Sequence, residues 1–235
     1  MPNRRTSILE EVRVTERPGA RTGRQLNAAE QTVAARKRAL RRRLVEARLN
    51  APSAQAGPAG AAAGAALARA AVAHFTDRGW PSLIAGYLSI GHEPVTGPLI
   101  EAVAERGARV IVPVLRSDRD LDWARHTPGG QVTPGPLGTV EPTGPRLGVD
   151  AICTVDVVFV PALAVDHSGR RLGRGGGSYD RALARLRATG SRALVLAVVH
   201  DGELLDEVPA EAHDEPVDGV LTASGLALFH RGTRS

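Results

Sequence analysis

The sequence predicts an α/β domain: an open, mostly parallel sheet with helices on both faces, a Rossmann-like three-layer sandwich. Three observations lead there. Segments of strand character alternate with helix-period segments along most of the chain. The run VDVVFVPAL at 155–163 is apolar almost throughout, as a parallel strand covered on both faces should be. The 235 residues, 43% of them apolar, suffice to bury the core of one such domain.

Residues 1–27 are polar, Arg-rich and aperiodic, and read as a basic disordered extension ahead of a single domain over 28–235. AAEQTVAARKRALRRRLVEARLN then repeats apolar Val33, Leu40, Leu44 and Ala47 at helical spacing, with Asn27 and Glu30 placed as a capping box. Lys37, Arg41 and Arg48 share one side of this helix, which taken alone is a solvated basic face. A low-complexity loop at 50–64 leads into an Ala-rich helix over 65–77. LIAGYLS (83–89) is a buried strand, PLIEAVAERG (98–107) a helix stopped by Gly107, and RVIVPVL (109–115) and LDWARH (121–126) are further strands. The Pro/Gly-rich stretch 127–145 reads as loop. Beyond strand 155–163 lies RLGRGGGSYDRAL (171–183), which opens a helix capped by Ser178 and ending at Gly190. RALVLAVV (192–199) is a buried strand and VDGVLTA (217–223) the expected last one.

Composition narrows the function. No apolar run approaches the roughly 20 residues that cross a bilayer, and MPNRRTSILEEVRV lacks a signal peptide's apolar segment. The lone Cys153 excludes an intrachain disulfide framework and a multi-cysteine zinc site. A cytoplasmic protein without a membrane partner is expected, and a monomer. Residues 1–48 hold 13 Lys and Arg against 5 Asp and Glu, whereas the rest holds 17 against 20. The body is slightly acidic, so no nucleic-acid partner is expected. A basic arm binding nucleic acid on an inert domain is the least favoured alternative. Lys37 is the one lysine among 29 arginines, a hint that a compact ammonium is wanted there.

The glycine stretch raises three readings. Gly173, Gly175, Gly176 and Gly177 precede a helix N-terminus, where free N–H groups and the helix dipole favour an anion. Arg171 and Arg174 can add charge-assisted hydrogen bonds to phosphate. A plain glycine turn accounts for the same residues. A dinucleotide fingerprint, and with it a nucleotide-cofactor oxidoreductase, would need glycine where Ser178 stands and a strand directly before the loop; Asp201 would supply its ribose-binding acid. Asp180 in the first helical turn and Asp214 in AHDEPVDG are carboxylates that can serve Mg²⁺ beside a phosphate; alone, they read as dipole pairing and a turn former. Glu93 in SIGHEPVTG sits at the strand edge where an α/β ligand binds. Trp123 could stack on a planar ligand, though core burial is commoner. Asp166–His167 resembles part of a catalytic pair but has no nucleophile motif nearby.

Five ordered segments over about residues 33–225 resemble the 5-formyltetrahydrofolate cyclo-ligase (5,10-methenyltetrahydrofolate synthetase) family. KRALRRRLVEAR is similar to its KxxLRxxL helix, and YLSIGHEPVTGPLI to its YLSxxxEvxTxxII. PLGTVEP resembles YGIxEP, with Leu137 in place of the aromatic. RLGRGGGSYDRAL is similar to GxGGGyYDR, with Ser178 where tyrosine is common, and VPAEAHDEPVDGVLT to LPxexHDxxvDxvvT. The resemblance implies ATP- and Mg²⁺-dependent closure of 5-formyltetrahydrofolate through phosphorylation of its formyl oxygen. By position it implies that Lys37 and Arg41 hold ATP phosphates, with Arg171 and the run Gly173 to Tyr179 as the cradle shared with substrate. It further implies that Arg174 stabilises the transferring phosphoryl group, that Asp180 and Asp214 serve Mg²⁺, and that Leu88, Glu93 and Trp123 meet the folate. His92-Glu93-Pro94 departs from the family's acidic pair with its following apolar residue.

Overall fold

The computed structural model describes residues 28–51 and 57–229. The expected extension at 1–27 and the Asn27 half of the capping box lie outside them. Two helices open the described chain, α1 (Ala28–Asn50) and α2 (Gly57–Arg78). Then follow β1 (Leu83–Ala85), α3 (Gly97–Glu105), β2 (Arg109–Leu115), β3 (Leu121–His126), β4 (Val132–Pro134), β5 (Val140–Pro142) and β6 (Val157–Pro161). The chain continues through β7 (Ala164–Asp166), β8 (Arg171–Leu172), α4 (Ser178–Ala188), β9 (Leu194–Val198), β10 (Leu204–Leu205), β11 (Gly219–Thr222) and β12 (Gly225–Leu228).

Seven strands form the central sheet in the order β12-β11-β9-β6-β1-β2-β3. Strands β2, β1, β6, β9 and β11 run parallel, and the edges β3 and β12 are antiparallel to their neighbours. Side chains alternate between two apolar layers, as the two-residue period of a strand requires. Val157, Phe159, Leu196 and Val198 pack under α2 and α3 with Leu67, Phe75, Leu99 and Ile100. Val158, Val160, Val195 and Ala197 face the other way, against Ala182, Leu183 and Leu186 of α4. Both faces are therefore covered, which explains the nearly unbroken apolar strands.

Four local differences from expectation have physical causes. Helix α2 begins at Gly57 instead of near 65, because Pro58 suits a first turn and the alanines that follow favour helix. Within it, Gly64 lets the helix approach the 95–98 segment, where a Cβ would sit 2.9 Å from the Val95 carbonyl. The loop at 127–145 contains the hairpin β4–β5, whose β4 residues are all exposed and so carry no alternation signal. Strand β11 is not the last, since a tight turn at 223–224 returns the chain as β12. Ser178 does not cap α4. Gly177 holds the cap position in the left-handed region (φ 69°) with no side-chain cap bond, and Ser178 is already the first helical residue.

A second sheet of three short strands, β10-β7-β8, stands beside the carboxyl end of β6. Asp166 organises it. Its buried carboxylate accepts from Ser168 Oγ (2.6 Å), Ser168 N (2.9 Å), Arg170 N (3.1 Å) and Val208 N (2.9 Å). Burial pushes this carboxyl up, but those donors more than offset it and hold it below the ordinary range. Asp166 is thus a structural tie, as the missing nucleophile motif suggested.

Candidate active site

The strand order reverses between β1 and β6: the chain goes from β1 to β2 on one side, then to β6 on the other. Open α/β sheets bind ligands outside the carboxyl ends of the strands at such a point. A cavity of about 340 Å³ opens there. Tyr87, Leu88 and Glu93 follow β1 into it, Pro161 to Leu163 follow β6, and the loop Gly173–Gly177 with Ser178 and Tyr179 closes another wall. The segment PLGTVEP contributes Thr139. Trp123 is not part of this lining. It is fully buried in the layer facing α4, and Leu121, two residues earlier on the same face of β3, meets the cavity instead.

The glycine loop follows β8, a two-residue strand outside the central sheet. It therefore lacks the strand–turn–helix geometry of a dinucleotide site. Asp201, the acid that reading needed, accepts from Ser224 N at 3.2 Å and ties the β9 loop to the β11–β12 hairpin. Arg171 is buried and faces inward. Its Nη2 donates to Asp180 Oδ1 (2.6 Å) and its Nη1 to the Pro161 carbonyl (3.2 Å), joining the first turn of α4 to the end of β6. Its Nε lies buried without a partner among the described residues. Arg174, by contrast, is half-exposed at the cavity mouth, with Nε 3.4 Å from Glu93 Oε1.

Helix α1 lies across the carboxyl edge with its basic side inward. Lys37, 4% exposed, donates to Asp214 Oδ1 (2.8 Å), Asp214 Oδ2 (2.7 Å) and Glu211 Oε2 (2.6 Å). Arg41 Nε donates to the Gly173 carbonyl (2.9 Å), tying the helix to the glycine loop. Arg48, also buried, makes a bidentate pair with Glu203 (2.7 Å each) and donates to the Ala162 carbonyl (2.7 Å). The solvated basic face expected of the isolated helix is thus overturned for Lys37 and Arg48. Acceptors 114 to 177 residues away decide their burial, and helix periodicity carries no trace of those.

Two environments result. In the cavity, Glu93 accepts from Ile90 N (3.0 Å) and is buried. Desolvation raises its carboxyl above the ordinary range, opposed by the Ile90 N–H and by Arg174 and Arg48. Burial likewise pushes the Tyr87 and Tyr179 phenols up, and both hydroxyls lack partners among the described residues. Around Lys37, Glu211, His213 and Asp214 bring ligand atoms within 4.8 Å of one another. Two carboxylates form a hard oxygen set of the kind Mg²⁺ takes together with phosphate oxygens and water. Residues that fit such an ion are therefore present. Sequence reasoning missed Glu211 and Tyr87. Glu211 stands three residues before Asp214 in VPAEAHDEPVDGVLT, and Tyr87 is one of only two tyrosines, set inside the expected strand 83–89, which ends at Ala85 in the structure. Both signals were readable.

Fold and site together define an α/β protein with a cavity at the switch point, walled by a glycine loop that Arg41 ties to the helix carrying the buried Lys37. The chain belongs to the 5-formyltetrahydrofolate cyclo-ligase family, whose profile matches residues 33–223. It is 45% identical over 157 residues to a 5-formyltetrahydrofolate cyclo-ligase of Mycolicibacterium smegmatis, covering 62% of this chain and 79% of that one. An Escherichia coli protein of the same name is 34% identical over 143 residues, covering 60% and 78%. The solution structure of an Aquifex aeolicus 5,10-methenyltetrahydrofolate synthetase superposes with a TM-score of 0.64 at 26% identity, covering 85% of this chain and 95% of that one. The chain is accordingly a ligase of folate one-carbon metabolism. No helix among the described residues is long and apolar enough to cross a membrane.

Proposed function

We propose that this chain converts 5-formyltetrahydrofolate and ATP into 5,10-methenyltetrahydrofolate, ADP and phosphate. The formyl oxygen attacks the γ-phosphorus and ADP leaves; N-10 then attacks the activated formyl carbon, its proton is released, and phosphate departs as the ring closes. The observation that carries this reading is the glycine loop, which lines the cavity while its Gly173 carbonyl is held by Arg41 of the basic helix. One loop thereby meets an apolar ring pocket on one side and cations on the other.

Lys37 and Arg41 hold phosphates from the α1 side, and Arg174 at the mouth stabilises the transferring group, charge placed where charge develops. The N–H groups of the loop from Gly173 to Gly177 and the α4 N-terminus, with Ser178 and Tyr179, form the shared cradle. Arg171 supports that cradle by fixing Asp180 to the β6 end. Glu93 accepts from the pterin's N–H groups, and Leu88 packs on the folate. Asp180 and Asp214 would hold Mg²⁺, with Glu211 beside Asp214. Bound Mg²⁺ supplies neutralisation of phosphate charge. The test is an assay with ATP, Mg²⁺ and 5-formyltetrahydrofolate, read by the near-ultraviolet absorbance of the methenyl product. Turnover that needs all three components is expected. A folded preparation without turnover would refute the proposal.

A further inference from the structure

The proposed mechanism leaves the buried hydroxyl of Tyr87, at the cavity, unused. Tyr87 is 3% exposed, and its ring belongs to the apolar layer under α2 and α3. Phenylalanine would fill that space equally well. Yet the residue also lines the cavity, and its hydroxyl has no hydrogen-bond partner among the described residues. A buried hydroxyl without a partner carries an uncompensated desolvation cost. Nearby walls offer little relief: Leu88, Pro161 and Leu163 are apolar there, and the buried Arg48 donates elsewhere, to Glu203 and the Ala162 carbonyl. Glu93 and Tyr179 are its strongest electrostatic neighbours, and they bring an acceptor and a second unpartnered hydroxyl to the same chamber. The Glu93 carboxylate makes this end of the cavity the less favourable one for phosphate, whose proposed cradle is the glycine-loop wall. The Glu93 end suits a neutral heterocycle that carries donors and acceptors on one edge.

We propose that Tyr87 contacts the substrate directly, its hydroxyl hydrogen-bonding a heteroatom of the reduced pterin seated against Glu93. This rests on the folate reading above. Tyr87 thereby selects the folate and takes no part in holding ATP.

The test is Tyr87→Phe, compared with the unaltered protein by calorimetric titration with 5-formyltetrahydrofolate without ATP, by steady-state kinetics and by thermal melting. Loss of one hydrogen bond predicts folate binding about tenfold weaker, an unchanged KM for ATP, and a melting temperature equal or higher because the orphan hydroxyl is gone. A structural residue would not give opposite signs for binding and stability. Unchanged folate affinity overturns the proposal, as does a rise in KM for ATP alone, which would place a purine there. So does a lower melting temperature with both ligands weakened. If the unaltered protein binds the folate but does not turn it over, the reaction proposed above fails while the titration still decides Tyr87. If it binds no folate, both fail.

Discussion

Arg48→Met removes a buried guanidinium while keeping most of its apolar stem. Three donated hydrogen bonds of 2.7 Å disappear, two to Glu203 and one to the Ala162 carbonyl. Glu203, whose side chain is 10% exposed, keeps only the His200 N–H at 2.8 Å on its carboxylate. Breaking a buried pair by removing one partner costs about 3–5 kcal/mol, most of it from the stranded charge. Against a typical total of about 5–15 kcal/mol, that is a large fraction. Urea unfolding should show a lower midpoint at unchanged slope. Adding Glu203→Gln to the variant should restore much of the loss, because the stranded charge is gone. A loss below about 1 kcal/mol, or one indifferent to Glu203→Gln, would show that the pair does not anchor α1.

Three further outcomes are expected. Lys37→Ala and Arg174→Ala should each lower turnover at least about 100-fold through lost phosphate stabilisation; near-normal rates in both would reject those roles. The carboxyl of Glu93 lies above its ordinary range, so its acceptor form is lost as pH falls through that raised value; folate binding should weaken on that limb, and titrations of Glu93→Gln across pH should lack it. Asp166 binds its proton less readily folded than unfolded, so its stabilisation is complete above the unfolded carboxyl's range and is lost as pH falls through the lower folded value. Asp166→Ala should cost roughly 2–4 kcal/mol at neutral pH by stranding buried donors, and acid unfolding curves of the two proteins should converge; a gap independent of pH would contradict this account.

The sequence made the sheet readable wherever packing is local and periodic. Strands 109–115 and 121–126 match residue for residue, because an apolar run and a short segment of mixed polarity flank the polar turn RSDRD. Strands β7, β8 and β10 escaped, since two or three residues carry no period, and the bond from Val208 N to the Asp166 carboxylate of β7 spans 42 positions. At the site, the glycine loop and Asp214 were legible in the sequence, while Glu211, three residues before Asp214, was missed. Long-range partners were not legible. Nothing local tells Arg171 to turn inward to Asp180, or Arg48 to find Glu203 across 155 positions. Trp123 shows the same limit in reverse: the resemblance sets it against the folate, whereas the commoner fate of a lone Trp, core burial, is the one found, and Leu121 takes the wall.

The cluster around Lys37 has a consequence for how a charged substrate is accommodated. One ammonium already sits among two carboxylates at 2.6–2.8 Å. The cluster is in effect a salt lodged inside the protein. Under the proposed function, a magnesium–phosphate pair arrives as a second salt, and loading becomes a metathesis in which cation and anion trade partners. Little net charge need be desolvated at that moment, because each incoming ion finds a counter-ion already stripped of water. The empty site is thereby kept in shape by the same charges that receive the nucleotide.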